Sequence, residues 1–343
     1  MAEPSHHHTV AVAGAKTRLG GQVVALLEAL PDVDRVLALD GADLVAPPPS
    51  ALEGVTSLVH LDRQPCPDPE HALRARQRAQ LVDAAIEAGI DHVVVVSSAA
   101  VYGAWADNPV PLTEEAPLRP NPEADYALEK VESERCWGRW AQDQEGATLA
   151  VLRPALVVGD PEEQWLAIAL RAPTRWGVGN GDVPSQFVHV DDLAAAVATA
   201  VERRLDGVYN VAPEGWMEGS EVQTLVGTPL RPPVPSRWAA VLARWFWSRG
   251  LGGVVPGLVP YATHPWVVAA DRLRAEGWQA TQSCGDSLVD AYPVTTWARL
   301  GPKARREVTL AGGSAVAIGV PVAVVVLARH HWHHRHPVLA PRP

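Results

Sequence analysis

Short apolar runs alternate with longer segments of mixed character along most of the chain. Each run has the length of a strand and ends at polar or glycine residues, and several of the segments between runs carry apolar residues at helical spacing. The runs occupy residues 10–13, 36–39, 57–61, 93–96, 148–152 and 207–211. Strands that alternate with helices predict an α/β fold built on a doubly wound parallel sheet.

The first run leads into a glycine-rich turn, residues 14–20, and then into an apolar helical pattern that extends to residue 30. Strand, glycine turn and helix form the context of a dinucleotide-binding fingerprint, because a helix N-terminus offers N–H groups and a positive dipole end to a pyrophosphate. Gly14 and Gly20 fit this Rossmann-type pattern, whereas Thr17 stands where a middle glycine is usual. Thr17 is alternatively predicted to cap the helix and to donate its hydroxyl to a phosphate.

Asp40 follows the second run, at the place where an acidic residue holds the adenosine ribose, roughly 20 positions past the fingerprint. A carboxylate there repels a 2′-phosphate, so the sequence predicts NAD rather than NADP. Lys16 and Arg18 weakly favour the opposite preference. The alternative interpretation of Asp40 is an ordinary turn residue.

Tyr126 and Lys130 lie one turn apart on one face of a predicted helix over residues 125–142. A free phenol has a pKa of about 10, and a nearby ammonium lowers that pKa by favouring the phenolate. Such a tyrosine can exchange a proton with a hydroxyl or carbonyl oxygen while a cofactor moves the hydride. The alternative is an ordinary amphipathic helix.

Two other segments carry structural expectations. The connection 104–125 is long, polar and proline-rich, and loops of this length are more often functional than idle. A further helix is predicted to begin in residues 189–192, with Asp191 or Asp192 as its capping carboxylate and His189 in a structural role.

The composition narrows the class of protein to which the chain can belong. The chain has 343 residues, of which 47% are hydrophobic and 20% charged, so it has enough apolar residues for a sizeable core. Its formal net charge of −10 argues against nucleic-acid binding, since phosphates require a basic surplus. Cys66, Cys136 and Cys284 are widely spaced, which predicts reduced thiols and neither disulfide nor metal site. Residues 1–9 are short and polar and lack the pattern of a signal peptide.

Residues 308–328 form an uncharged, mostly apolar segment that is long enough to cross a ~30 Å hydrocarbon core. We therefore expect a C-terminal transmembrane anchor, and the nearby Lys303, Arg305 and Arg306 place the body of the protein on the cytoplasmic side of the membrane. A packed apolar helix is the alternative. Residues 236–251 combine tryptophans with arginines, which suits either a helix at a membrane surface or a core helix.

Six motifs occur in order at suitable spacings, and together they resemble the extended short-chain dehydrogenase/reductase family, of the NAD-dependent epimerase/dehydratase type. The resemblance covers roughly residues 9–292. The motifs are the glycine turn 14–20, Asp40, the segment 98–103, the Tyr126/Lys130 pair, the segment 152–154 and the segment 187–192.

The resemblance implies roles for particular residues. Tyr126 is the implied general acid/base, Lys130 lowers its pKa and binds the nicotinamide ribose, and Ser98 holds the substrate oxygen. Ser98 has an alternative role as a strand-end cap. Asp62 stands where the family usually has a small residue. The implied cofactor-binding set comprises Gly14, Thr17, Arg18, Leu19, Gly20, Asp40, Asp43, Leu44, Leu61, Asp62, Tyr126, Lys130 and Pro154.

Departures from the family pattern bear on the substrate. Nucleotide-sugar members usually carry an Asn where this chain has Leu156, and often an Arg where it has Ser185. Both usual residues serve the diphosphate, and each lost charge-assisted bond costs about 1.5–3 kcal/mol. These departures argue against a nucleotide sugar, unless Arg171, Arg175 or Arg231 substitutes.

The sequence therefore predicts an NAD(H)-dependent oxidoreductase that acts on a secondary alcohol or ketone of a lipophilic small molecule. The alternatives are a nucleotide-sugar epimerase/dehydratase and a non-catalytic NAD-binding membrane scaffold. A homodimer is expected from the family. The predicted domains are a dinucleotide-binding domain (1–159 with 186–211), a smaller substrate lobe (160–185 with 212–300) and a C-terminal anchor and tail (301–343).

Overall fold

The computed structural model describes residues 8–40, 49–62, 71–160, 165–167, 169–170, 182–226, 241 and 255–291. Several sequence predictions concern residues outside this set and stay predictions. They include the adenine contacts Asp43 and Leu44, the thiol Cys66, the aromatic helix 236–251 apart from residue 241, and the anchor 308–328.

Six parallel strands form the central sheet in the order β2-β1-β3-β4-β5-β8, and β6 pairs with β7 in a separate two-stranded sheet. This arrangement confirms the predicted Rossmann-type α/β fold. The chain leaves β1 towards β2 on one side and returns to β3 on the other, so the carboxyl ends of β1 and β3 border a crevice. The strands are β1 His8–Ala13, β2 Val33–Leu39, β3 Ser57–His60, β4 His92–Val96, β5 Thr148–Pro154, β6 Leu156–Val158, β7 Phe187–His189 and β8 Gly207–Val211.

Helices cover both faces of the sheet. The described helices are α1 Arg18–Glu28, α2 His71–Glu87, α3 Asp125–Asp143, α4 Val190–Glu202, α5 Gly219–Val226, α6 Asp271–Ala275 and α7 Cys284–Ala291. Side chains alternate between the two faces of each strand, so that Val10 and Val12 of β1 pack with α1 and α4, while Ala11 and Ala13 pack with α2 and α3.

Helix α4 begins differently from the prediction. The N-cap residue is His189, whose Nδ1 accepts a hydrogen bond from the Asp191 backbone N–H at 3.3 Å. Asp191 and Asp192 lie in the first turn instead, and Asp192 accepts hydrogen bonds from Thr281 of the second half of the chain. The prediction of a carboxylate cap was therefore wrong, because the buried imidazole takes that role and Asp192 ties the helix to a later segment. The structural role predicted for His189 is confirmed.

The long connection before α3 packs against the second half of the chain. Leu112 forms a parallel bridge with Val268, and Gly257 approaches so closely that a Cβ on it would lie 1.6 Å from the Glu123 carbonyl oxygen. This segment therefore helps to fix where α3 begins. Of the helices that the structure describes, none combines the length and the hydropathy needed to cross a membrane.

Candidate active site

The glycine turn joins β1 to α1 at the crevice. Gly14 has a φ of +98°, a conformation that favours glycine, and a Cβ on Gly20 would lie 2.3 Å from the Gly14 carbonyl oxygen. Thr17 is the N-cap residue of α1, and its Oγ1 accepts a hydrogen bond from the Gly20 N–H at 2.9 Å, as the sequence predicted. The same hydroxyl donates to the Gly14 carbonyl at 3.1 Å, so in this conformation its proton is not directed at a phosphate.

Asp40 lies beside this turn. Its Oδ1 accepts a hydrogen bond from the Lys16 backbone N–H at 3.1 Å, which places the carboxylate at the end of β2 next to the fingerprint. Leu19 is buried in the core. The Arg18 guanidinium extends towards α4, donating to the Gly159 carbonyl at 2.5 Å and lying 3.7 Å from Asp191.

A pocket opens at the carboxyl ends of β3, β4 and β5. It gathers five of the predicted site residues, which come from four different segments of the chain: Leu61, Ser98, Tyr126, Lys130 and Pro154. The rest of its lining is mostly apolar and consists of Val96, Ser97, Ala155, Val157, Trp165, Leu166 and Leu193. The predicted catalytic residues therefore line one cavity.

Ser98 begins a short 3₁₀ helix, Ala99–Tyr102, and its Oγ accepts a hydrogen bond from the Ala100 N–H at 3.2 Å. The side chain is thus a strand-end cap and also lines the pocket, so the two interpretations of the sequence are compatible. Its neighbour Ser97 donates to Glu134 Oε1 at 2.5 Å. Ser97 therefore connects the end of β4 to α3.

Tyr126 is half-buried in the first turn of α3. Its ring packs edge-to-face on Trp165, with centroids 5.0 Å apart and an interplanar angle of 79°. The Lys130 Nζ lies 5.8 Å from the centre of the same ring. Helical spacing therefore brings the ammonium under the phenol, as expected from the sequence.

Lys130 is buried and donates hydrogen bonds to the Val96 carbonyl at 3.1 Å and to Asp62. Burial alone would raise the pKa of Asp62, but the nearby Lys130 ammonium and the Arg78 guanidinium hold that pKa below its usual value. Asp62 is therefore a carboxylate at neutral pH, and it forms an ion pair with Lys130 at 3.3 Å.

A second buried ion pair lies behind the pocket. Arg153 donates through Nε at 3.0 Å and NH2 at 2.6 Å to the two carboxylate oxygens of Glu134, and through NH1 to the Tyr102 hydroxyl at 2.9 Å. The Tyr102 hydroxyl donates in turn to Asn210. Burial raises the pKa of Tyr102, which keeps this phenol protonated and makes it a structural group. The network fixes α3 against β5 and β8.

Sequence reasoning missed several residues that surround the pocket and the ion pairs next to it. Glu134 lies one turn after Lys130, so the Tyr126-Lys130-Glu134 spacing was a usable signal. His60 and Arg78 carried no such signal, because only the sheet brings β3 and α2 to the helix. Trp165 was equally invisible, since its contact with Tyr126 depends on how the chain returns to the pocket.

Fold and pocket together define a Rossmann-type protein with the serine, tyrosine and lysine expected of a dinucleotide-dependent dehydrogenase. Residues 68–212 match the family model described as the NAD dependent epimerase/dehydratase family. This match covers less than half of the chain, and it is to the family of NAD-dependent enzymes that the motifs predicted.

Two curated proteins are similar to parts of the chain. The uncharacterized protein y4nG of Sinorhizobium fredii (strain NBRC 101917 / NGR234) is 35% identical over 138 residues, which are 38% of this chain and 33% of that protein. The 2′-dehydrokanamycin reductase of Streptomyces kanamyceticus is 32% identical over 168 residues, which are 45% of this chain and 47% of that protein. The chain thus spans half or less of the length of the curated relatives it matches.

Solved structures share the fold over most of the chain. The UDP-glucose 4-epimerase of Thermus thermophilus in complex with NAD has a TM-score of 0.60 at 21% identity, and covers 85% of this chain and 99% of its own. MoeE5 in complex with UDP-glucuronic acid and NAD has a TM-score of 0.59 at 22% identity, with the same coverage. At these identities the likeness shows a common fold.

Proposed function

We propose that the chain is an NAD(H)-dependent oxidoreductase that interconverts a secondary alcohol and a ketone, with Tyr126 as general acid/base. The observation that carries the proposal is that Ser98, Tyr126 and Lys130 line the same pocket. NAD, when bound, supplies the acceptor or donor of the hydride. Tyr126 takes the hydroxyl proton during oxidation or returns it during reduction, and Ser98 holds the reacting oxygen.

The residues at the crevice fit a dinucleotide. Gly14 and Gly20 allow the turn and α1 to lie close together, and a side chain on Gly20 would fill that space. The N-terminus of α1 favours a pyrophosphate, and the position of Asp40 beside the glycine turn supports a role in binding the ribose hydroxyls. We propose that the cofactor is held by these residues with Thr17, Arg18, Leu19, Leu61, Asp62, Lys130 and Pro154, and by Asp43 and Leu44 outside the described residues.

The residues at two family positions support a substrate without a diphosphate. Leu156 is buried, and its strand β6 pairs with β7 through Phe187. The Ser185 backbone is bonded in both directions to Met217. Neither position offers a charged group to a diphosphate, and Trp165 and Leu166 add further apolar surface. These observations favour a substrate without a diphosphate, in keeping with a relative named as a reductase of 2′-dehydrokanamycin.

A nucleotide-sugar epimerase or dehydratase is the second candidate. It is favoured by the solved structures of similar fold that hold UDP-glucuronic acid or are named as UDP-glucose 4-epimerase. In an epimerase the hydride returns to the same molecule, so the cofactor shows no net turnover. The third candidate, a non-catalytic NAD-binding scaffold, would leave both cofactor and ligand unchanged.

The discriminating experiment follows NADH absorbance with the purified full chain and two matched panels, one of lipophilic ketones and one of UDP-sugars. Continuous NADH oxidation with a ketone supports the oxidoreductase. Conversion of a UDP-sugar without net change in NADH, detected by mass spectrometry or NMR, supports the epimerase. NAD binding without either reaction would contradict both catalytic candidates.

We further propose attachment to the cytoplasmic side of a membrane through residues 308–328, and a homodimer. Expression of the full chain and of a variant without residues 307–343, followed by membrane flotation, tests the attachment. The full chain should float with the membranes and the shortened chain should not. Light scattering of the shortened chain tests the dimer.

A further inference from the structure

The ammonium of Lys130 is surrounded by three acceptors. It donates to the Asp62 carbonyl oxygen, to Asp62 Oδ2 at 3.3 Å and to the Val96 carbonyl at 3.1 Å. A lysine ammonium has three N–H donors, so in this conformation each donor has an acceptor. Two of the three acceptors belong to one residue, which binds the lysine through its main chain and its side chain.

The backbone of Asp62 makes this double contact possible. It is the second residue after β3, and its φ of +38° lies in the left-handed region, which Asp, Asn and Gly tolerate better than other residues. This turn points the carbonyl and the carboxylate of the same residue towards α3. A small residue, as the family usually has here, would supply the carbonyl without the charge.

Further charged groups surround the pair from each packed element. Arg78 of α2 lies 4.0 Å from the Asp62 carboxylate and 3.7 Å from Glu129 of α3, and it is buried. His60 of β3 lies 3.8 Å from Asp62, and burial lowers the pKa of this imidazole to about 4, so it is neutral. The Tyr261 hydroxyl interacts electrostatically with Tyr126 and is uncharged at neutral pH, because burial raises its pKa.

The charges in this cluster balance. His60 carries none, Lys130 and Arg78 carry one positive charge each, and Asp62 and Glu129 carry one negative charge each. The charge of Lys130 beneath Tyr126 is therefore balanced by the charge of Asp62. The electric field of such an ion pair falls off faster with distance than the field of a lone ammonium. Removal of the Asp62 charge alone would leave a net positive charge under the phenol.

We propose that Asp62 is a positioning residue that fixes the Lys130 ammonium beneath Tyr126 and moderates its charge. The proposal rests on the proposed role of Tyr126 as acid/base, and it gives Asp62 a task separate from cofactor contact. Asp62 thereby sets the pH at which the Tyr126 hydroxyl ionises, since it weakens the stabilisation that Lys130 gives to the phenolate.

The test is a pH titration of the Tyr126 hydroxyl by NMR in the absence of cofactor and substrate. The chain has five tyrosines, so a sample with ¹³C at tyrosine Cζ gives few resonances, and the Tyr126→Phe variant identifies the one of interest. In Asp62→Asn the Tyr126 midpoint should fall by about one pH unit, the effect typical of one nearby charge. Asn keeps the shape and tolerates the backbone conformation of Asp62.

Glu132→Gln provides the matched control, because it removes the same charge from an exposed site on the same helix, where Glu132 pairs with Arg135. That control should leave the midpoint unchanged. Asp62→Gly is the second variant, since glycine also suits the positive φ, and circular dichroism establishes that each variant is folded. A Tyr126 midpoint that stays constant or rises in the folded Asp62 variants overturns the proposal.

The outcome is separable from that of the proposed function. The titration requires neither hydride transfer nor a known substrate. A lowered midpoint combined with full turnover by Tyr126→Phe would support the role of Asp62 and reject Tyr126 as acid/base. An unchanged midpoint combined with an inactive Tyr126→Phe would do the opposite.

Discussion

The Lys130 ammonium lies beneath the Tyr126 ring, with Nζ 5.8 Å from the ring centre. Lys130 is buried and tied to Val96 and Asp62, whereas Tyr126 is half-buried and lines the pocket. The cation is therefore held away from solvent on the inner side of a phenol that lines the pocket. This asymmetry is what a tyrosine acid/base requires, because the charge acts on the hydroxyl while the hydroxyl meets the substrate.

Tyr126→Phe should abolish most turnover and leave cofactor affinity nearly unchanged. Phenylalanine keeps the ring that packs on Trp165 at 5.0 Å, and removes only the hydroxyl. General acid/base catalysis contributes about two to four powers of ten, so kcat should fall by that factor. Steady-state kinetics measure the loss, and quenching of tryptophan fluorescence by NADH measures affinity. Turnover at the original rate would reject the mechanism.

Gly20→Ala should destabilise the fold and weaken NAD binding, whereas Gly21→Ala should do neither. A Cβ on Gly20 would lie 2.3 Å from the Gly14 carbonyl oxygen, while a Cβ on Gly21 meets nothing within 4 Å. The new methyl at position 20 forces α1 away from the turn, at a cost of about 1–3 kcal/mol. At position 21 the helix gains up to about 1 kcal/mol of propensity. Thermal melts with and without NAD compare the neighbours directly, and equal behaviour would contradict the close packing.

Asp40→Ala should narrow the preference for NAD over NADP. In its proposed role, the carboxylate at the end of β2 repels a 2′-phosphate and accepts hydrogen bonds from the ribose hydroxyls. Its loss should therefore weaken the binding of NAD and leave the binding of NADP nearly unchanged. A charge-assisted hydrogen bond is worth about 1.5–3 kcal/mol, which corresponds to roughly a tenfold or larger change in the ratio of kcat/KM values. An unchanged ratio would remove Asp40 from the ribose site.

Glu134→Gln should destabilise the protein much more than Glu132→Gln, although both changes remove one carboxylate charge from α3. Glu134 pairs with Arg153 in the interior at 2.6 Å, and Glu132 pairs with Arg135 at the same distance on the surface. An unpaired buried charge costs about 3–5 kcal/mol, whereas an exposed pair contributes about 0–1 kcal/mol. Urea unfolding of both variants measures the difference. Similar losses would show that the Arg153 network contributes no special stability.

The fold was largely predictable because the central strands β1, β4 and β5 contain continuous apolar runs that end at glycine or a polar residue. The pairing of Tyr126 with Lys130 was predictable as well, since helix geometry alone brings them together. The site around them was not. Arg78 and His60 lie close to Asp62, which in turn binds Lys130, and the sequence separation between these residues hides the cluster.

The start of α4 shows a second limit. Aspartates next to an apolar helical run normally indicate the cap, yet His189 fills this role and Asp192 binds Thr281 instead. The competing partner lies far along the chain, so local capping rules had no access to it. Sequence patterns thus predicted the elements, whereas the partners of buried polar groups required the tertiary structure.

Acid should destabilise the fold between about pH 6.5 and pH 4, because two buried histidines are neutral in the folded state. Burial lowers the pKa of His60 and of His92, each to about 4, while an unfolded imidazole has a pKa of about 6.5. The unfolded chain binds more protons in this window, so stability is full above pH 6.5 and falls as the pH approaches 4, by about 3 kcal/mol per histidine. Urea unfolding at several pH values measures the slope, and His92→Gln, which is remote from the pocket, should reduce the slope by about half if the two histidines contribute equally. Asp62 does not contribute to this loss of stability between about pH 6.5 and pH 4. Its pKa is lowered in the folded state, so the stability that it contributes is lost only at more acidic pH. A slope that His92→Gln leaves intact would mean that the imidazole is already charged inside the fold.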